Sequence, residues 1–526
     1  MSSLPSLGNL TKKKKHPLQF VTKTVVTKKP AGPPTRTTAP TAQPRNSEAK
    51  KTVRPVSTPR QSSTSSTSRP TSKEPKGPIK NARRDRPKRN SPALATPKLT
   101  SSDEEDDEPS RARKRPRVER RNSIDRERRI RDFGSFDENQ TVVVPMVHAK
   151  DIANITILEH SRDKYEAFFT ALKGDEEENP TIDLEYPSAS QRERYQLVKP
   201  ANSSDFKPLD EIMENMKMVA DYYLDEESAR RVSDDDVGQG MVQTMLKHMK
   251  DGIKGRAGAQ EKFIEVVDQY NSLIRQKRKD DTITQRLDEM TYVPGKLVDH
   301  IVKNQVYART VSPQIDIVRE YESFSDNVYG EMLPKFLRKV FEETHLKSDQ
   351  IFVDLGSGVG NCVLQAALEI GCESWGCESM ANPNNLAQQQ GKEFPARCRL
   401  WGIKPGDVHL IHDDFLKNEE IRQVLRKADV VLINNQAFSP QLNDDLKYVF
   451  LDLKEGCQIV SLKCFRDPAH KIKDTNVNDP VNILTVQEKP RYSEMVSWTD
   501  DPGKWYLQKK DSSQLRTFTK RLNGRA

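Results

Sequence analysis

An apolar run followed by a glycine-rich turn spans residues 351–360 and constrains the fold of this chain more than any other feature. Ile351-Phe352-Val353 predicts a short buried strand, and Asp354-Leu355-Gly356-Ser357-Gly358-Val359-Gly360 follows it directly. Glycines at alternate positions let the backbone turn sharply and approach a ligand. A strand, such a turn and then a helix predict a nucleotide-type cofactor site in an open α/β sheet.

The spacing of these glycines indicates which cofactor the turn binds. A dinucleotide-binding turn carries G-x-G-x-x-G, so that a helix amino terminus holds the pyrophosphate. Here the spacing is G-x-G-x-G, with Asp354 two positions before the first glycine. This variant favours S-adenosylmethionine, which has no pyrophosphate.

Strand and helix patterns alternate through residues 326–526. Predicted strands lie at Ile351–Val353, Ser374–Glu378, Val408–Ile411, Asp429–Ile433, Gln458–Leu462, Glu494–Trp498 and Trp505–Gln508. The last two form a predicted hairpin across Asp501-Pro502-Gly503. Repeated β-α units predict a doubly wound, mostly parallel seven-stranded sheet with this antiparallel hairpin, which is the class I S-adenosylmethionine-dependent methyltransferase fold.

Residues 140–325 have a different pattern and predict a mixed, mainly helical region. Pro208 suits the first position of a helix whose apolar stripe includes Ile212, Met216 and Val219. A second stripe runs from Phe263 to Ile274. We interpret both stripes as core packing.

Residues 1–131 form a strongly basic segment. They contain 34 Lys/Arg, 12 Asp/Glu and 17 of the 33 prolines, whereas the rest of the chain has a net charge of −13. Such a composition predicts disorder. Its spread positive charge is suited to DNA phosphates, and Lys114–Arg117 resembles a nuclear import signal. The acidic run 103–108 pairs with these arginines or binds basic protein, and the sequence does not decide between the two.

The cysteine pattern and the lengths of the apolar runs indicate the cellular compartment of the protein. All six cysteines lie between Cys362 and Cys464 without a C-x-x-C pair, which predicts free thiols in a reducing compartment. We found no signal peptide and no apolar run that could cross a bilayer. These features predict a nuclear or cytosolic protein without a membrane or metal partner.

Polar side chains follow the next predicted strands at the edge where open α/β sheets bind ligands. Glu378 ends the second strand, where a carboxylate can accept both ribose hydroxyls. Asp414 and Phe415 follow the third strand and suit the adenine amino group and ring. Asn434 follows the fourth strand.

These motifs resemble one known family over roughly residues 200–510. Tyr329-Gly330-Glu331, Phe352–Asn361, Asp414-Phe415, Asn434-Asn435 and Ser497-Trp498-Thr499 are similar to the Dot-type (disruptor of telomeric silencing) histone H3 lysine-79 N-methyltransferases. The resemblance implies a class I enzyme that methylates the nucleosome core and acts in chromatin regulation and telomeric silencing.

The resemblance also implies roles for individual residues. Asn434 near the methyl-donor sulfur and Tyr506 in the lysine channel would be catalytic. Cofactor binding would involve Tyr329, Gly330, Glu331, Met332, Phe352, Val353, Asp354, Leu355, Gly356, Ser357, Gly358, Val359, Gly360, Asn361, Glu378, Asp414 and Phe415. An apolar channel would favour the neutral, nucleophilic form of the lysine.

The partners that the resemblance implies are nuclear. The nucleosome would supply the histone H3 substrate, with contacts to the histone H4 tail and to ubiquitinated histone H2B. DNA would bind the basic segment.

Two other functions are compatible with the sequence. The first is a DNA or RNA amino-methyltransferase, although Asn434-Asn435-Gln436-Ala437-Phe438 lacks the proline and has its aromatic residue one position late for stacking a flipped base. The second is a chromatin-binding scaffold without catalysis, although the cofactor motif is intact.

Overall fold

The structure is a computed structural model that describes residues 125, 127–137, 144–153, 164–169, 180–203, 205–318 and 330–524. Most of the predicted basic segment and Tyr329 therefore lie outside the described residues. The boundaries predicted at residues 131, 140 and 325 stay predictions.

Before residue 330 the described chain is mainly helical, with short strands in antiparallel pairs. The strands are β1 (Tyr165–Ala167), β2 (Thr181–Leu184), β3 (Glu193–Gln196) and β4 (Val198–Pro200), and β1 pairs with β4 and β2 with β3. The helices are α1 (Ala149–Ile152), α2 (Pro208–Tyr222), α3 (Glu226–Val232), α4 (Met241–Ile253), α5 (Ala259–Lys279), α6 (Thr282–Glu289), α7 (Gly295–Asp299), α8 (Ala308–Thr310) and α9 (Ile315–Val318). A π-helical segment, His300–Tyr307, joins α7 to α8. The predicted stripes of α2 and α5 are buried.

From residue 330 onward, strands and helices alternate. The helices are α10 (Pro334–Thr344), α11 (Asn361–Glu369), α12 (Ala381–Leu400), α13 (Glu419–Leu425), α14 (Pro440–Val449) and α15 (Ser513–Asn523). The strands are β5 (Ile351–Leu355), β6 (Glu373–Glu378), β7 (Val408–His412), β8 (Val430–Ile433), β9 (Gln458–Ser461), β10 (Leu484–Arg491) and β11 (Gly503–Lys510).

These seven strands form one sheet in the order β10-β11-β9-β8-β5-β6-β7. The strands from β9 to β7 are parallel, and β11 runs antiparallel to both of its neighbours. The strand order reverses between β5 and β8, which is the position where doubly wound sheets bind ligands. The predicted fold class is confirmed.

One predicted strand was wrong. The hairpin partner of β11 is Leu484–Arg491, whereas Glu494–Trp498 lies in the connection between the two strands. The edge strand β10 carries charged residues and Pro490, which only an edge position tolerates. Its sequence therefore lacks the apolar run used to predict strands.

Alternate residues of β5 pack into different cores, because successive side chains of a strand point to opposite faces. Phe352 packs with α10 residues such as Phe336 on one face. Val353 packs with α13 residues such as Ile421 on the other. A third core joins the helices before residue 330 to α11 and α12, with Trp401 fully buried. The two parts of the described chain thus share an apolar interior.

A buried ionic cluster also connects the two parts. Its members are Glu193 on β3, Glu211 on α2, Arg309 on α8, and Glu393 and Arg397 on α12. Glu193 contacts Arg397 at 2.6 Å and Arg309 at 3.0 Å. Arg397 also contacts Glu393 at 2.6 Å, and Arg309 contacts Glu211. Burial alone would raise the pKa of Glu193, but the charges of Arg397 and Arg309 outweigh it and hold that pKa well below its usual range.

Uncharged side chains extend this cluster into the π-helical segment. The hydroxyl group of Tyr186 donates to Glu193 at 2.7 Å and accepts from Asn215 and Gln305, both at 2.9 Å. Gln305 also accepts from the Trp401 indole at 2.8 Å, and His300 contacts Asn215 at 2.6 Å. The segment His300–Tyr307 is therefore held by hydrogen bonds to both parts of the chain.

Residue 125 and residues 127–132 pack along the amino-terminal ends of the strands. Asp125 accepts hydrogen bonds from the backbone and hydroxyl of Ser348, at 2.8 and 2.7 Å. Arg128 donates to the Leu368 carbonyl at 3.2 Å, and Ile130 is buried. The boundary predicted after residue 131 falls within this docked segment.

Replacing Glu193 tests the ionic cluster. Glu193→Gln leaves two buried arginines without a shared counter-ion, and we expect the free energy of unfolding in urea at pH 7 to fall by ~3–5 kcal/mol. Because the folded-state pKa of Glu193 is depressed, its stabilisation is present above the unfolded pKa and is lost as pH falls through the folded pKa. The difference between the two proteins should therefore shrink in acid.

The control is Glu226→Gln, which breaks an exposed pair with Arg230. It should cost less than ~1 kcal/mol. Equal losses in the two variants would contradict a special role for the buried cluster.

Candidate active site

The glycine turn lies at the point where the strand order reverses. Gly356, Gly358 and Gly360 have φ values of +84°, +55° and +89°, a region that other residues rarely adopt. Gln390, which is fully buried on α12, donates to the Val359 carbonyl at 2.6 Å and to Asn361 at 3.0 Å. The glycines thus determine the conformation of the turn, and the hydrogen bonds from Gln390 hold it in place.

A cavity of about 880 Å³ opens in front of this turn. Thirteen of the predicted site residues line it: Gly330, Glu331, Met332, Asp354, Gly356, Ser357, Gly358, Val359, Asn361, Glu378, Asp414, Phe415 and Asn434. The strand-end positions predicted from sequence therefore converge on one space.

Five predicted residues are not among those that line the cavity, and Tyr329 lies outside the described residues. Phe352, Val353 and Leu355 pack into the cores on either side of β5. Gly360 begins α11 beneath Leu410. Tyr506 lies farther along the sheet, half-buried.

Sequence reasoning did not place nine further lining residues in the site. They are Cys362, Ser379, Met380, Pro383, Leu416, Ala437, Phe438, Ser439 and Leu442. Most belong to the segments that follow β6, β7 and β8. The signal that could have found them is that the carboxyl ends of parallel strands meet at one edge.

The four charged residues that line the cavity are all acidic. Burial, reinforced by the charge of Glu378, raises the pKa of Asp354 to about 8. Burial also raises the pKa of Glu378, although this carboxylate accepts hydrogen bonds from the Gly358 and Met380 backbone at 2.8 and 2.7 Å. Glu331 and Asp414 add two more carboxyl groups. This acidic lining favours a cationic ligand, whose positive charge would stabilise the ionised carboxylates.

A strap formed by residues 330–333 covers one side of the cavity. The Glu331 carbonyl accepts a hydrogen bond from the Ser497 amide. The Ser497 hydroxyl in turn accepts one from the Glu331 amide at 2.9 Å. Leu333 donates to the Met495 carbonyl at 3.0 Å. A side chain at position 330 would collide with the ring of Trp498, because an added Cβ would lie 2.7 Å from it. The strap therefore needs glycine at this position.

The paired asparagines after β8 have different environments. Asn435 is fully buried and accepts from the Leu462 and Lys463 amides at 3.0 and 2.8 Å, so it holds the β9 terminus. Asn434 donates to the Gly330 carbonyl at 2.9 Å and lines the cavity. Its buried amide oxygen has no hydrogen-bond partner among the described residues. That oxygen is an unsatisfied hydrogen-bond acceptor.

Two aromatic rings form one end of the cavity. Phe415 and Phe438 lie with ring centroids 6.4 Å apart and planes inclined by 27°. Asp414, beside them, accepts from the Leu416 amide at 2.9 Å. Parallel rings next to a carboxylate suit a flat heterocycle that carries an amino group.

Tyr506 lies in the same cross-strand row as Ser461 and Ile433, and therefore level with the last residue of β5. Trp505 points to the other face, where it packs edge-on against Phe336 at 5.5 Å. Burial raises the pKa of Tyr506, so the phenol is protonated at neutral pH. It can donate a hydrogen bond but is not a general base at that pH.

The sheet order and the ligand site at its reversal point define a class I methyltransferase fold. Comparison with known proteins narrows this class. The family model described as "Histone methylation protein DOT1" matches residues 307–509.

Curated relatives extend the match beyond that region. A "Histone-lysine N-methyltransferase, H3 lysine-79 specific" from Emericella nidulans is 46% identical over 395 residues, which cover 75% of each chain. Relatives with the same name from Aspergillus fumigatus (84% of this chain, 83% of the relative) and Yarrowia lipolytica (62% and 65%) are 44% and 42% identical. The chain belongs to this DOT1 family of histone methylation proteins, which confirms the resemblance noted from its motifs.

Neutralising Asp354 should stabilise the ligand-free protein. Its folded-state pKa of about 8 lies above the unfolded value, so the unfolded state loses its proton first and stability declines as pH rises toward 8. We expect Asp354→Asn to raise the free energy of unfolding at pH 8 by ~1–2 kcal/mol, with a smaller gain at pH 4.

Urea titrations at both pH values would measure this gain. The control Asp407→Asn changes an exposed residue near the start of β7 and should give no gain. A loss of stability in Asp354→Asn at pH 8 would contradict the destabilising role of this carboxylate.

Proposed function

We propose that this chain transfers methyl groups from S-adenosylmethionine to lysine 79 of histone H3 in nucleosomes, within the nucleus. The observation that carries the proposal is the buried Asp354 in an acidic cavity that ends between two parallel rings. A nucleoside cofactor with a cationic amino-acid end matches this polarity, and the relatives carry the name of that activity.

The residues of the cavity match the parts of the cofactor. Asp354 and the strap residue Glu331 would hold the ammonium end, and Glu378 would accept the ribose hydroxyls. Asp414, with Phe415 and Phe438, would hold the adenine. When bound, the sulfonium supplies an activated methyl group, so this chain must align an amine with it and exclude water.

Asn434 and Tyr506 are the proposed catalytic residues. The unpartnered Asn434 oxygen would accept a hydrogen bond beside the reacting amine. Tyr506 would line the channel and orient the lysine through its protonated hydroxyl. Desolvation in the channel lowers the pKa of an ammonium group, so the lysine would lose its proton to solvent before it attacks.

Contacts outside the cavity belong to the same proposal. The basic segment would bind nucleosomal DNA, and the folded part would meet the histone H4 tail and ubiquitinated histone H2B. Chromatin regulation and telomeric silencing would follow from the modification of the nucleosome core.

Labelled cofactor offered with three substrates tests the function. We expect label on histone H3 in intact nucleosomes, with little on free histones and none on naked DNA. Glu378→Ala should weaken S-adenosylmethionine binding by at least tenfold, since it loses the ribose contacts, whereas Asp407→Asn should not.

Label on naked DNA would favour a nucleic-acid amino-methyltransferase instead. Calorimetry that detects no cofactor binding to the wild-type protein would favour a scaffold without catalysis.

Removing the basic segment tests DNA binding. The deletion should comprise residues 1–124 rather than 1–131, because Arg128 and Ile130 pack against the fold. We expect weaker nucleosome binding and a flatter dependence of log affinity on log salt concentration, because fewer counter-ions are released.

The deletion should leave S-adenosylmethionine affinity unchanged, which controls for misfolding. Unchanged nucleosome affinity and salt slope would contradict a DNA-binding role for residues 1–124.

A further inference from the structure

We propose that Tyr307 is a positioning residue that acts on the cofactor through Glu331, an inference that rests on the proposed function. The Tyr307 hydroxyl donates to the Glu331 carboxylate at 3.0 Å. Glu331 lines the cavity, whereas Tyr307 lies behind it and is not a lining residue. Neither the motifs nor the comparisons assign a role to Tyr307.

The position of Tyr307 lets it touch two walls of the cavity at once. Its buried ring packs in a small cluster with Val359 of the glycine turn and Leu386 of α12. Its hydroxyl reaches the strap. A single side chain therefore sets the separation between the glycine turn and the strap, and the methionine end of the cofactor would lie between them.

Glu331 needs such a restraint. Glu331 and Asp354 both line the cavity. Glu331 is only partly buried, so burial alone does not fix its rotamer. A hydrogen bond to a charged acceptor is stronger than a neutral one and selects one rotamer of the glutamate. The hydroxyl of Tyr307 thus holds Glu331 in the orientation that faces a cationic ligand.

The π-helical segment determines where Tyr307 points. In an α-helix, His300 and Tyr307 would lie two turns apart on nearly the same face. Here the wider π-helical turn separates them, so that His300 contacts Asn215 whereas Tyr307 contacts Glu331. π-helical turns are rare and occur frequently at functional sites. The buried polar cluster, through His300 and Gln305, therefore anchors the segment that presents Tyr307.

Tyr307→Phe removes only the hydroxyl and is the decisive variant. Calorimetry should show about tenfold weaker S-adenosylmethionine binding, which corresponds to ~1.4 kcal/mol. The KM for the cofactor should rise by a similar factor, while kcat at saturating cofactor stays near the wild-type value.

Two tyrosine variants separate positioning from general destabilisation. Tyr270→Phe removes a buried hydroxyl that has no partner among the described residues and should change nothing. Tyr223→Phe removes a buried hydrogen bond to the Trp401 carbonyl, at 2.9 Å, away from the cavity. It should lower stability in urea without weakening cofactor binding.

A double-mutant cycle tests whether Tyr307 acts through Glu331. In the Glu331→Gln background, Tyr307→Phe should cause no further tenfold loss, because the charged acceptor is already gone. Additive losses, or an unchanged dissociation constant in Tyr307→Phe alone, would overturn the inference while leaving the proposed function intact. A wild-type protein that binds no S-adenosylmethionine would instead overturn the proposed function.

Discussion

The contacts of Glu193 with Arg309 and Arg397 hold together the two parts of the described chain. All three groups are fully buried, so each charge depends on the others for compensation. β3, α8 and α12 must therefore assemble together. Since α12 also carries Gln390, which holds the glycine turn, the mainly helical region before residue 330 is part of the structural support of the cofactor cavity.

The cavity itself works against stability. Asp354 is buried, and its burial together with the charge of Glu378 raises its pKa and disfavours its ionised form in the folded protein. Proteins commonly keep such arrangements where ligand binding requires them. A cationic ligand would relieve the repulsion, so binding and folding stability would be coupled in this family member.

The fold and much of the site could be predicted because their signals are local. Apolar runs marked most strands, and residues such as Glu378 directly follow them. The β10 strand was missed because its charges and Pro490 match an exposed edge rather than an apolar run. The pairing of Glu193 with Arg397 was missed because the two lie 204 positions apart. In a sequence, a charged residue that is buried in the fold cannot be distinguished from one on the surface. No local pattern indicates which distant residue pairs with it.

The docked segment around Arg128 has a consequence for how the chain meets a large substrate. It crosses the amino-terminal ends of the strands, whereas the cavity opens at their carboxyl ends. Residues 1–124 precede this segment in the chain, so a partner that they bound, as proposed, would be linked covalently to the folded part through it. Under the proposed function, such a covalent link would raise the effective concentration of the nucleosome at the enzyme. The frequency with which the enzyme meets a nucleosome and the alignment of the lysine at the cavity would then depend on different parts of the chain. The two properties could change independently in evolution.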